Sequence, residues 1–120
     1  MDQIWLGGPL WTVNRHALLN QPNILFRNHR QINILDTFHF GLTAFVEIGA
    51  MSVGRIVQVH RLDRPFSRGD EKSVFKFGGS AIVFFGQAGA WLPSDDIIEN
   101  TAKGIETLVC LGDPIARAVE

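Results

Sequence analysis

The chain has 120 residues, 46% hydrophobic, 19% charged and 10% aromatic, and its eleven Lys and Arg against twelve Asp and Glu leave a formal net charge of −1. That length suits one domain with one modest core, and that apolar fraction excludes intrinsic disorder. Near-neutral charge gives no basis for nucleic-acid binding, and Cys110, the single cysteine, excludes an internal disulfide and a zinc site of Cys/His spacing.

At the start of the chain, Asp2 precedes a short apolar patch broken by Gly7, Gly8 and Pro9. A secretory signal would be basic, then apolar. No run approaches the ~18–20 apolar residues of a membrane-spanning helix. Asn14 to Leu19 reads as one or two helical turns. Gln31 to Thr37 alternates Ile32 and Ile34 against Gln31 and Asn33, the period of a strand. Leu42 to Ile48 can place Leu42, Ala44, Val46 and Ile48 on one face. Gly54 to His60 is rich in β-branched residues. Pro65 to Asp70 is loop chemistry, because proline fixes φ and Gly69 permits a tight turn. Ser73 to Phe77 and Ala81 to Phe85 are two apolar runs separated by Gly78, Gly79 and Ser80. Ser94 reads as the cap of a short helix with Asp95 and Asp96 in its first turn and Gly104 near its end. Thr107 to Leu111 reads as a last strand. These runs predict a single mainly β domain over residues 1–120, a small sandwich or barrel-like fold with one or two short helices.

Few residues suggest chemistry on their own. His16, His29, His39 and His60 are dispersed, and no pair has metal-binding helical spacing; structural histidines are the default. Asp95 and Asp96 are adjacent and would diverge on a helix, so they read as a charged first turn. Asn28, His29 and Arg30 could hold an anion, against the simpler reading of a solvated strand edge. The run from Phe75 to Phe85 stands out. Its Gly78-Gly79-Ser80 center suits a strained backbone, and the serine hydroxyl would lie near the preceding carbonyl carbon. An ordinary hairpin turn explains the same residues. It is not a nucleophile elbow, because Ile82 stands where the last glycine would be.

Several stretches, taken in order, resemble the carboxyl-terminal part of the phosphatidylserine decarboxylase family. Gly8-Pro-Leu-Trp-Thr-Val-Asn14 is similar to the segment leading into the family's Val-Asn step. Leu25-Phe-Arg-Asn-His-Arg30 resembles its Leu-Phe-x-x-Asn-x-Arg, and Phe45 to Ile56 its Val-Gly-Ala-x-x-Val-Gly-x-Ile. Arg68-Gly-Asp-Glu71 followed by Phe75-Lys-Phe-Gly-Gly-Ser80 resembles its Lys-Gly-x-Glu and Phe-x-x-Gly-Ser. Thr107 to Ile115 is similar to its closing strand. Ala81 departs from the hydroxyl residue that often follows the serine. The family's Asp and its Tyr-His motif lie upstream of the matched stretch. This chain has no tyrosine, and none of its four histidines occupies that motif.

The resemblance implies a pyruvoyl enzyme, a carboxy-lyase made as a zymogen. The Ser80 hydroxyl would attack the Gly79 carbonyl and convert the amide to an ester. Elimination and hydrolysis would then leave a covalent pyruvoyl group, derived from Ser80, on an α chain of residues 80–120, beside a β chain of residues 1–79. No metal is implied. The implied reaction takes phosphatidylserine to phosphatidylethanolamine. A decarboxylase of a soluble amino acid and an inactive β-domain of the same family are the alternatives. A phospholipid or amino-acid substrate is the expected partner, a membrane surface and self-association are left open, and nucleic acid is not expected. Trp5, Leu6 and Trp11 would suit a membrane surface, since tryptophan favors the interface. They would equally suit a protein-docking face.

Overall fold

The computed structural model describes residues 2–11, 13–51 and 55–120. Its elements are β1 (Asp2–Leu6), α1 (Arg15–Asn20), α2 (Ile24–Arg27), β2 (Arg30–Thr37), β3 (Gly41–Ile48), β4 (Arg55–Gln58), β5 (Ser73–Lys76), β6 (Ile82–Gly86), β7 (Trp91–Pro93), α3 (Asp95–Ala102) and β8 (Ala116–Ala118). The fold is mainly β, as expected. Its strands form one four-stranded sheet in the order β1-β2-β3-β6 and two antiparallel pairs, β4-β5 and β7-β8. Among the described residues no barrel closes. The residues group into two compact units, Met1–Leu35 with Ala44–Phe85, and Asp36–Thr43 with Gly86–Glu120.

In the first unit, β1 pairs antiparallel with β2, from Asp2 opposite Ile34 to Leu6 opposite Arg30. β1 went unread in the sequence because Gly7, Gly8 and Pro9 follow it so closely. Ile24, Val46, Ile48, Ala50 and Ile56 form the apolar core. The alternation in β2 is real, but the buried face is the polar one. Gln31 and Asn33 are 0% and 1% exposed, while Ile32 and Ile34 are half-buried. β4 is shorter than its apolar run. Val59 and His60 both donate their backbone N–H to the Lys72 carbonyl, at 2.8 and 3.0 Å, which ends the regular ladder. Gly54, the first residue of that predicted strand, lies outside the described residues.

Asn28 ties the entry segment to this core. Its Nδ2 donates to the carbonyls of Trp11 and Gly49, both at 2.8 Å, and its Oδ1 accepts from the Trp11 N–H at 3.3 Å. The next residue, His29, donates its N–H to Pro9 at 2.9 Å and accepts from Gly49 at 2.7 Å. Gly8 is required here: a Cβ would lie 2.0 Å from the Arg27 carbonyl oxygen. So the Gly-Gly-Pro stretch serves a close backbone approach. The helix read at Asn14 forms as α1, with the Asn14 side chain accepting from Ala17 N–H at 2.8 Å. α2 was missed: it is four residues long and its cap makes no side-chain bond.

In the second unit, α3 starts after Ser94 as read. The Ser94 hydroxyl does not cap it, however; it donates to the Pro114 carbonyl at 2.9 Å. The strand predicted over Thr107–Leu111 does not form. The Asn100 amide holds Thr107 at 3.0 Å, and Asp113 closes a turn by accepting from Cys110 N–H at 2.8 Å. Gly112 supplies the positive φ, 96°, that this turn needs. The last strand is instead β8, paired with β7 from Trp91 opposite Ala118 to Pro93 opposite Ala116.

Replacing Asn28 with Ala leaves the buried Gly49 carbonyl without this donor and frees the backbone groups of Trp11. Asn28→Ala is expected to lower the unfolding free energy by about 2 kcal/mol, measured by urea titration.

Candidate active site

The Gly-Gly-Ser run lies between β5 and β6, and these strands do not pair with each other. β5 pairs with β4, from Arg55 opposite Lys76 to Gln58 opposite Ser73, whereas β6 lies beside β3 in the larger sheet. The hairpin alternative is therefore excluded. Four residues, Phe77 to Ser80 with Ala81 following, carry the chain from one sheet to the other.

That passage is strained at its entrance. Phe77 has φ 68° and is 85% exposed, with Gly78 following at φ 141°. The left-handed region costs an L-residue with a bulky side chain of the order of 1–2 kcal/mol. Gly79 faces open space, since a Cβ there would meet no atom within 4 Å. Ser80 is half-buried. Its Oγ is shielded from solvent and has no hydrogen-bond partner among the described residues. A shielded hydroxyl without a partner is costly, and among the described residues Gln31 Nε2 and Thr43 Oγ1 share that condition with Ser80 Oγ. Directly after it, the Ala81 carbonyl accepts the Ile48 N–H at 3.0 Å, which fixes the start of β6 against the end of β3.

A buried polar cluster occupies the same unit. Glu47, on β3, is 1% exposed. Its Oε1 accepts from Lys72 Nζ at 2.5 Å, Gln58 Nε2 at 2.8 Å and Asn33 Nδ2 at 3.3 Å, and its Oε2 accepts from the Ser73 hydroxyl. Lys72 Nζ also donates to Gln58 Oε1 at 2.9 Å and sits 4.6 Å from the center of the Phe45 ring. Gln58 donates to Gln31, and Gln3 to Asn33 at 3.0 Å. The sequence signaled none of this, because a Glu between Val46 and Ile48 reads as a solvent-facing strand residue. Phe45 meets Phe84 of β6 edge to face at 4.9 Å. Phe45 and Lys72 also line a cavity of about 170 Å³ with Leu35, His60 and Phe66.

The remaining candidates are accounted for locally. His16 lies beside Asn20, His29 stacks on Trp5 at 5.3 Å, and His60 Nε2 lies 3.0 Å from the Arg64 carbonyl. His39 is exposed. Asn28 is spent on backbone groups and Arg30 donates to the Asn28 carbonyl at 3.1 Å, so Asn28, His29 and Arg30 do not form an anion cradle. Asp95 pairs with Arg117 at 3.5 Å, and Asp96 accepts from Ile97 N–H at 2.9 Å. Among the described residues no three His, Cys, Asp or Glu side chains gather as a metal site, and no helix is long and apolar enough to cross a membrane.

Phe77→Gly removes the left-handed penalty but adds unfolded-state entropy. A net stabilization of about 0.5–1 kcal/mol is expected from those opposing effects, measured by chemical denaturation.

The family model described as phosphatidylserine decarboxylase matches residues 4–115. The chain is similar to the phosphatidylserine decarboxylase proenzyme of Clostridium novyi (strain NT), 36% identical over 114 residues that span 95% of this chain and 39% of that protein. It is 39% identical to the proenzyme of Ruminiclostridium cellulolyticum over 120 residues, 100% of this chain and 40% of that protein. It is 41% identical to that of Clostridium kluyveri over 108 residues, 90% of this chain and 36% of that protein. The chain thus spans about two-fifths of the length of these relatives. No solved structure matches. With all but the two ends of its sequence matched by the family model, this chain belongs to the phosphatidylserine decarboxylase family.

Proposed function

We propose that the chain carries the self-cleavage site of a pyruvoyl-dependent phosphatidylserine decarboxylase, with Gly79-Ser80 as the bond that breaks. The observation that carries this reading is the shielded, unpartnered Ser80 Oγ immediately after the strained Phe77-Gly78 step. A hydroxyl held by no other group is free to turn toward the Gly79 carbonyl carbon. Its attack forms a Gly79–Ser80 ester and breaks the amide, with the hydroxyl proton passing to a base and the Ser80 nitrogen becoming an amine. Loss of the Ser80 α-proton with departure of the Gly79 carboxylate leaves a double bond at residue 80. Water then replaces the nitrogen, which leaves as ammonia. Open space where a Cβ would stand leaves that flank of Gly79 uncrowded.

The residues present fit a pyruvoyl group at position 80, because the Ser80 hydroxyl there is committed to no other bond. Such a group supplies an electron-withdrawing carbonyl for loss of carbon dioxide from the substrate. The chain's own residues hold position 80 in place. The Ile48–Ala81 hydrogen bond and the Phe45–Phe84 contact both join β6 to β3, across the cut. The bound substrate is read as phosphatidylserine, in keeping with the names of the relatives. The cavity that Leu35, Phe45 and Phe66 line together with His60, Asp70, Glu71 and Lys72 pairs apolar with charged side chains, which suits an amphipathic substrate.

A second reading, a family member that keeps the fold without processing, draws on one observation. None of the four histidines is hydrogen-bonded to Ser80. Intact mass of the full-length protein separates the two. Two pieces are expected, broken between Gly79 and Ser80, the second lacking a free amino terminus. Ser80→Ala should give one chain. A wild-type protein that stays whole overturns the processing reading and favors the inactive one. Phe77→Gly, which relaxes the step before the bond, is expected to slow the appearance of the two pieces by about tenfold, as release of about 1.4 kcal/mol of strain would. Processed protein should release carbon dioxide from phosphatidylserine vesicles and not from free serine.

A further inference from the structure

The geometry points to Glu47 as a positioning residue for the Gly79-Ser80 bond, acting through Lys72 and Ser73. This inference rests on the self-cleavage reading above and adds residues to it. The bond is held from two directions. Downstream, Ala81 is fixed to Ile48 of β3 at 3.0 Å. Upstream, the chain arrives from β5, which belongs to a different sheet and ends at Lys76, next to the left-handed Phe77. The strain at Phe77 and Gly78 persists only if both ends are anchored against each other; otherwise the four-residue passage would relax.

Glu47 supplies that anchor. It neighbors Ile48, so it sits on the same strand end that holds Ala81. Its carboxylate reaches Lys72 at 2.5 Å and the Ser73 hydroxyl, the residues that lead into and begin β5. It also reaches Gln58 at 2.8 Å, on β4, the hydrogen-bonded neighbor of β5. One side chain therefore ties the sheet after the bond to the strand pair before it. A carboxylate is suited to this task. Burial makes every one of its hydrogen bonds costly to lose, so its partners are held tightly. An apolar side chain would fill the space without fixing the distance between the two sheets.

The test compares Glu47→Gln, Lys72→Met and the double variant in the full-length protein. Removing both charges together avoids a lone buried charge, so the double variant is expected to fold. With folding verified by denaturation, its cleavage is expected to be slower by about a hundredfold, the scale of a small misplacement of reacting groups. Amide hydrogen exchange is read in parallel in a Ser80→Ala background, where the chain stays whole. Exchange over residues 77–82 should quicken in the double variant while the β1-β2 ladder stays protected. Two results overturn the inference alone: a double variant that cleaves at the wild-type rate, or unchanged exchange over 77–82. If the wild-type protein never cleaves, the processing reading fails. The exchange measurement still decides whether Glu47 holds this passage, and unchanged exchange removes that role too.

Discussion

A buried carboxylate sets the terms for the first unit of this protein. Taking Glu47 out of water is unfavorable by several kcal/mol unless its oxygens are compensated. The compensation comes from Asn33 on β2, Gln58 on β4, Lys72 just before β5 and Ser73 at its start. Those partners in turn require Gln31 and Asn33 to face inward, and that decides which side of β2 is covered. The apolar core of Ile24, Val46, Ile48, Ala50 and Ile56 is small. It contributes burial without direction, whereas the polar cluster specifies which strands meet and in what register. Hydrogen bonds of this kind add little net stability each, but leaving one unmade is expensive.

The second constraint is topological. Two apolar strands, close in sequence and joined by glycines, ordinarily fold back on each other. Here β5 and β6 take partners in different sheets, so the link between them must cross rather than turn. A non-glycine residue in the left-handed region is the local sign of that demand. The chemistry proposed at Ser80 uses the same geometry, since a segment pulled from both ends cannot settle into a relaxed extended conformation.

Much of this was legible in the sequence, and the failures have physical causes. β2, β3, β5 and β6 follow from alternation and from their glycine boundaries within a residue or so. α1 follows from the cap at Asn14, and α3 from its acidic first turn at Asp95 and Asp96. Alternation reports that two faces differ; it does not report which is inside when the polar face finds partners. Gln31, Asn33 and Glu47 were therefore unreadable as core, because their partners are distant in the chain. Thr107–Leu111 has strand composition but meets an Asp113 turn instead of a partner strand. Ser80 was singled out by the glycines before it and by the family resemblance, and its role there stays a proposal. Its missing hydrogen bond was not legible, because solvent shielding is a property of the folded surroundings.

The pairing of β6 with β3 has a thermodynamic corollary. While the chain is continuous, the short link through Ser80 tethers β6 to β5 and keeps it at a high effective concentration near β3. A break in that link turns the same ladder into an association between two molecules. Its occupancy then follows mass action, and stability becomes dependent on protein concentration. The edge between β3 and β6, together with the packing of Asp36–Thr43 against Gly86–Glu120 in the second unit, would have to serve as a subunit interface, assembled during folding while the two partners were still one polymer.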